Sequence, residues 1–331
     1  MEPDLKFEIA INRMCPGEKL PQGDPRWYRF TRSFHQETHT LDSLLAEIQQ
    51  GHSFAPVVKG GHRKQENYIS AQHIGLDSDT GDQRSALEVL AEDPFIGRHA
   101  ALLYETHSST PESLKARILF LLERPYSNPL EYRTLQQALA WRYGFTDPSV
   151  AEQSRFFYGA VNCRVLKLGQ VLREKVVERE VVLPYLDHLA DQAESQKRNL
   201  PATTKTRVVG ATNAERYVNR AIQEEASWVA TRQECTGERH QGLLVAAMKL
   251  ASLRLSEWLP EEVRLTIDPC AVLLPAAEAN GYLSKYGETA TRQTIADGVA
   301  YARPRPNPDS VTPTRPRLRY SGGQWVKAVR A

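Results

Sequence analysis

The sequence predicts an α+β chain: a mixed central β-sheet with helices, followed by a small all-helical bundle. Three observations lead there. Apolar residues alternate with period two at intervals through the first 160 residues, helical spacing dominates from 213 to 302, and the intervening NLPATTKTRVVGATN at 198–212 has the polar, Pro- and Gly-containing composition of a linker. The expected organisation is therefore a first domain over 1–197, a linker over 198–212, a helical domain over 213–302 and a Pro/Arg-rich tail over 303–331. At 331 residues and 41% hydrophobic, the chain can bury two cores of unequal size.

In chain order, LKFEIAIN at 5–12 places Leu5, Phe7, Ile9 and Ile11 on one side of a strand and Lys6 and Glu8 on the other. RWYRF at 26–30 reads as a second strand. Leu41, Leu44, Leu45 and Ile48 recur at helical spacing until Gly51 ends the helix. Strand 69–77, helix 84–91, strands 100–105 and 117–122, helix 129–143 and strand 155–160 complete a central sheet. Beyond the linker, 213–230, 238–258, 260–281 and 288–301 read as helices, the second with Leu243, Leu244, Ala247, Met248 and Ala251 on one face. Prolines keep the stretch after 302 from being helical, and Gly322-Gly323 suits the turn of a terminal hairpin.

Composition narrows the function. No apolar run reaches the roughly 20 residues of a membrane span, and charges interrupt the amino-terminal MEPDLKFEIAINRM where a signal peptide would be apolar, so a soluble, cytoplasmic protein is expected. Cys15, Cys163, Cys235 and Cys270 form no CxxC pair, which argues against a disulfide framework or structural zinc and leaves them as small buried hydrophobes. Net charge is only +2, but basic residues gather at His62-Arg63-Lys64, at Lys115 with Arg117, at Arg216 with Arg220, and in the tail from Arg303 to Arg330, where Asp309 is the one acid. That distribution suits a local polyanion track, with Arg63 and Lys64 as nucleic-acid contacts.

The apolar strand Ile74-Gly-Leu-Asp77-Ser-Asp79 ends in two carboxylates that period-two geometry points the same way. Two acids that close repel unless a cation lies between them, and Mg²⁺ takes such oxygen ligands. Asp79-Thr80-Gly81-Asp82 also fits an ordinary turn, so the pair alone decides nothing.

More motifs follow: Tyr104-Glu-Thr-His107-Ser108-Ser109-Thr-Pro111, Lys115-Ala-Arg117-Ile-Leu-Phe-Leu-Leu122, Asp147-Pro-Ser and Ser154-Arg155-Phe-Phe-Tyr-Gly159. With GLDSD, in this order over roughly 40–165, they resemble the archaeo-eukaryotic primase superfamily in its phage, plasmid and mobile-element branch. The resemblance implies an RRM-like catalytic core and a DNA primase-polymerase, with Asp77, Asp79 and Asp147 holding two Mg²⁺ or Mn²⁺ ions. It implies that Arg117, Lys115 and Arg155, with His107, Ser108 and Ser109 in the adjoining loop, bind the NTP or dNTP triphosphate. Arg117 departs from the family, which usually has histidine there; arginine still binds phosphate but cannot titrate. The helical stretches around Arg239 and Glu288–Ile295 resemble the carboxy-terminal domain of such primases, with Arg239 as a template or nucleotide contact.

A single-stranded DNA template, a monomeric state and a separate replicative helicase complete the expectation, the helicase because no GxxxxGK[ST] is present. The alternatives are a non-catalytic single-strand or origin-binding replication protein, and a two-metal nuclease.

Overall fold

The computed structural model describes residues 5–21, 23–144, 152–198, 212–233, 238–307, 318–321 and 324–327. It is an α+β chain of two compact units, Met1–Asp187 and His188–Ala331. The expected linker at 198–212 lies almost wholly outside the described residues.

In the first unit, β1 (Phe7–Asn12) lies between β2 (His35–His39) and β3 (Ser53–Ala55) in an antiparallel three-stranded sheet. The larger sheet runs β4 (Val57–Val58), β5 (Tyr68–Ser78), β7 (Ala116–Tyr126), β6 (Leu102–Glu105), β8 (Val165–Lys167), with β9 (Val171–Leu172) parallel to β7. Phe7, Ile9 and Ile11 of β1 share one core with Leu44 and Ile48 of α2 (Leu41–Gln49), Phe54, Leu102, Tyr104, Leu119, Leu121 and Phe157. Helix α5 (Pro129–Tyr143) forms at its expected limits because Asn128 caps it, Pro129 opens it and left-handed Gly144 closes it. Its Tyr132 hydroxyl donates to the His73 carbonyl at 2.8 Å.

Three expectations change. RWYRF is not a strand: Trp27–Phe30 is a helical turn, α1, started by the Asp24 side chain accepting from the Arg26 amide. Three-residue spacing then brings the rings of Trp27 and Phe30 to 5.7 Å. Residues 155–160 form no strand either, being tied by one two-way bridge between Phe54 and Phe157. The stretch 260–281 splits into α10 (Glu261–Arg264) and α11 (Pro269–Ala279), since Asp268 and Pro269 start a new helix. The cysteines differ as well: Cys15, Cys163 and Cys270 are free and half-buried, and Cys235 lies outside the described residues.

Between these, helices α3 (Leu87–Glu92) and α4 (Pro94–His99) precede β6, and α6 (Glu174–Val176) leads through a π-helical stretch into α7 (Leu183–Arg198), within which the two units divide. In the second unit α8 (Asn213–Ala230), α9 (Glu238–Arg254), α11 and α12 (Tyr282–Ala300) pack together, with α9 buried along nearly its whole length. Lys249 of α9 is buried against Glu225 at 2.8 Å and against Glu194, and Lys197 reaches Glu225 at 2.7 Å. The tail strands β10 (Leu318–Ser321) and β11 (Gln324–Lys327) pair antiparallel with Ser321 opposite Gln324, and Gly322 and Gly323, the expected turn, lie outside the described residues. Among the described residues no helix is long and apolar enough to cross a membrane.

Candidate active site

Sheet register builds the site. Asp77 on β5 lies opposite Arg117 on β7, and Arg117 lies opposite Tyr104 on β6, so the three form one row across the central strands. Arg117 Nε donates to Asp77 Oδ1 at 2.6 Å, and its Nη1 donates to the Tyr104 hydroxyl at 2.8 Å and to the Tyr158 carbonyl at 2.9 Å. The guanidinium also lies 4.6 Å from the centroid of the Phe157 ring. Arg155 Nη2 donates to the other Asp77 oxygen at 3.1 Å.

Residues 154–158 alternate although they form no strand. Arg155 and Phe157 point to the row, and Phe156 and Tyr158 to an aromatic cluster around Phe30. Gly75 makes this possible, because a Cβ there would sit 2.6 Å from the Phe157 ring. The sequence pointed to Arg155 and Arg117 but not to the Tyr104 hydroxyl, the Tyr158 carbonyl or the Phe157 ring; the alternation in Arg155-Phe-Phe-Tyr158 was the available signal.

Burial works against ionisation of Asp77 more than any other influence, yet Arg117 and then Arg155 outweigh it and hold the carboxyl below its ordinary value. Burial likewise opposes the charge on Arg117, and Tyr104 and Asp77 more than compensate. Burial pushes the Tyr104 hydroxyl up to about 12. Arg117 is thus a buried cation with a committed counter-ion, whereas Arg155 keeps a fifth of its side chain exposed.

Asp79 follows the end of β5 and is exposed, with no ion pair among the described residues. The turn after it is fixed by Ser85, whose hydroxyl meets those of Ser78 at 2.9 Å and Thr80 at 2.6 Å. His107 and Ser108 are exposed on the β6–β7 loop, while the Ser109 hydroxyl accepts from the Lys115 amide at 3.0 Å and closes that loop. Both this loop and the Asp79 turn leave the sheet at the end where Asp77, Arg117 and Tyr104 lie in register. Asp147 lies outside the described residues.

The remaining expected contacts are elsewhere. Arg63 lies over the Phe156 ring at 4.8 Å and donates to the Ser154 carbonyl at 3.3 Å, and Lys64 pairs with Glu66 at 3.2 Å. In the second unit Arg239 Nη1 donates to the Asn280 carbonyl just past α11, at 2.7 Å. A separate group, Glu37, His39 and Glu47, has ligand-type atoms within 4.8 Å of one another, but Arg13 already bridges the two glutamates.

Residues 50–197 match the family model of the VapE N-terminal domain. The resemblance to primase-like replication domains therefore stands over this stretch, which is less than half of the chain and contains Asp77, Asp79, Lys115, Arg117 and Arg155. Among solved structures, the AEP domain of the cyanophage S-2L primase-polymerase is similar at 17% identity, over 55% of this chain and 90% of that chain, with a TM-score of 0.29. No curated protein matches the chain.

Proposed function

We propose that the VapE-like segment is a template-directed nucleotidyltransferase, a DNA primase-polymerase acting on single-stranded DNA. The observation that carries this reading is the convergence of Asp77, Arg117 and Arg155, with the loops bearing Asp79, His107 and Lys115 leaving the same end of the sheet.

The acids suit a hard divalent cation. Asp77 accepts one arginine bond on each oxygen, so each retains a lone pair, and Asp79 is exposed without an ion pair among the described residues. Asp77, Asp79 and Asp147 would hold Mg²⁺ or Mn²⁺. When bound, such ions supply Lewis-acid activation of the attacking hydroxyl and charge neutralisation at the leaving pyrophosphate.

The chain's own residues do the positioning. Arg117 keeps Asp77 ionised and in register, anchored by Tyr104 and the Tyr158 carbonyl. Arg155, held by a longer bond and partly exposed, exchanges Asp77 for a phosphate oxygen when the nucleotide arrives. Lys115 and the His107–Ser109 loop contribute charge and donors to the triphosphate, and base pairing selects the nucleotide.

The pairing of Asp77 with two arginines also favours a second reading, a non-catalytic single-strand-binding replication domain in which the acid is purely structural. Incorporation of labelled nucleotide on a primed single-stranded template separates the two. Asp79→Asn is expected to lose at least about 100-fold in incorporation, the order seen when a group stabilising transition-state charge is removed. Activity within twofold of wild type would overturn the catalytic reading, and strand shortening would indicate a nuclease.

A further inference from the structure

Outside the Asp77 row, aromatic and basic side chains crowd one surface of the first unit. Tyr28 of α1 is 66% exposed and Trp27 36% exposed, whereas Phe30 of the same turn is fully buried. Trp27 is seated on Phe30 at 5.7 Å and on Phe156 at 6.1 Å, so the exposed rings stand on a packed base. Arg32 lies 3.7 Å from the centroid of the Tyr28 ring and donates to the Tyr28 carbonyl at 3.1 Å, which holds a cation against an exposed aromatic face.

A second loop abuts this one. The Arg63 amide donates to the Thr31 carbonyl at 2.8 Å and the Phe34 amide to the Gly61 carbonyl at 3.2 Å. Gly61 has φ +67°, and a Cβ there would meet the Phe34 carbonyl oxygen at 2.7 Å, so glycine permits the approach. The junction brings exposed Lys59 and Lys64 alongside α1. Desolvation, then the charges of Arg32 and Lys64, hold His62 below its ordinary value. Of the acids nearby, Glu18 and Asp24 are bound by Arg26, and Glu66 is paired with Lys64.

We propose that Trp27, Tyr28, Arg32, Lys59, His62 and Lys64 form a platform for single-stranded nucleic acid, with bases stacking on the aromatic rings and phosphates on the cations. Exposed rings interleaved with cations fit a chain of unstacked bases on a polyanion better than a duplex, whose bases are not free to stack, or an acidic peptide, which needs no ring. The platform connects to the Asp77 row: Arg63 donates to the Ser154 carbonyl and covers Phe156, on either side of Arg155, which bonds Asp77. The proposal deepens the reading of this unit as one that works on single strands.

The test measures anisotropy of labelled oligo-dT and oligo-U with the full-length chain in EDTA without nucleotide, so that binding is read without chemistry. Tyr28→Ala is expected to weaken binding roughly tenfold, in the range of one lost base stack, and Tyr28→Phe to restore it. Lys59→Gln with Lys64→Gln should reduce the slope of log affinity against log salt by about 1.4, for two phosphates on a single strand. Preference for oligo-dT or oligo-U identifies the strand, and either supports the platform. Binding by Tyr28→Ala within twofold of wild type overturns it, as does equal competition by duplex, inorganic polyphosphate or poly-glutamate. Because Asp79→Asn is read by incorporation and Tyr28→Ala by binding, failure of one claim leaves the other standing.

Discussion

Asp77 is at once the candidate metal ligand and the counter-ion of two arginines, and these roles predict different things of its substitution. With side-chain exposures of 13% for Asp77 and 10% for Arg117, Asp77→Asn leaves a buried guanidinium without its counter-ion. Breaking such a pair costs about 3–5 kcal/mol, so denaturant unfolding of the variant should show a large loss, and lost activity would say little about catalysis. Asp79→Asn, at an exposed carboxylate, should unfold within about 0.5 kcal/mol of wild type, which makes it the cleaner catalytic probe. Acid should act in two windows. His73 is fully buried on β5, neither ring nitrogen has a hydrogen-bond partner among the described residues, and burial depresses it from 6.5 to about 3. Its folded value lies below its unfolded one, so stability falls as pH drops from 6.5 toward 3 while the unfolded chain takes up the proton. Asp77, also depressed, contributes stability above its ordinary 3.8 that is lost below it. His73→Leu should flatten the upper limb of the pH–stability curve and leave the lower one; an unchanged upper limb would show that His73 is not its source.

Among the elements, those with a cap and a clear apolar period were legible in the sequence, whereas local starts such as Asp24-Pro25 and Asp268-Pro269 were read through. Helices α5 and α8 appear with their expected limits because Asn128 and Thr212 cap them and their apolar residues recur at helical spacing. Strand β5 was legible from its apolar run ending at the carboxylates. RWYRF misled because Trp27, Tyr28 and Phe30 favour strands in isolation, while Asp24 and Pro25 start a turn and Phe156 supplies the packing surface. The same limit applies to the site: Asp77, Arg117 and Arg155 were identifiable one by one, but their mutual bonds depend on β5–β7 register and on the 154–158 segment. Gly75 sets the seating of that segment. Gly75→Ala would press a methyl into Phe157 at 2.6 Å, and overpacking of this kind costs about 1–3 kcal/mol. Because Phe157 is bridged to Phe54 through both backbone groups, the strain should pass to Arg155, weakening nucleotide binding as well as stability. A nucleotide affinity unchanged in Gly75→Ala would mean that Arg155 does not depend on this seat.

At the scale of the whole molecule, each unit is held by packing and by ion pairs within it. Of the four cysteines, Cys15, Cys163 and Cys270 are free and Cys235 lies outside the described residues, and in the Glu37–His39–Glu47 group Arg13 pairs with both glutamates. Each unit instead closes on its own core and on internal ion pairs, Asp77 with Arg117 in the first and Lys249 with Glu225 in the second. Stability and activity should therefore respond differently to chelation. A metal that binds only the folded state raises the thermal midpoint in proportion to its occupancy, and its removal lowers it. Exhaustive EDTA treatment is expected to leave the midpoint of the chain unchanged and to abolish incorporation, with Mg²⁺ or Mn²⁺ restoring it, because the proposed ions serve the reaction and not the fold. Because the two carboxylates already have cationic or solvent partners, little repulsion is left for a metal to relieve in the resting chain. A midpoint that falls on chelation would place a resident ion in the fold, and incorporation that survives EDTA would remove the metal from the mechanism.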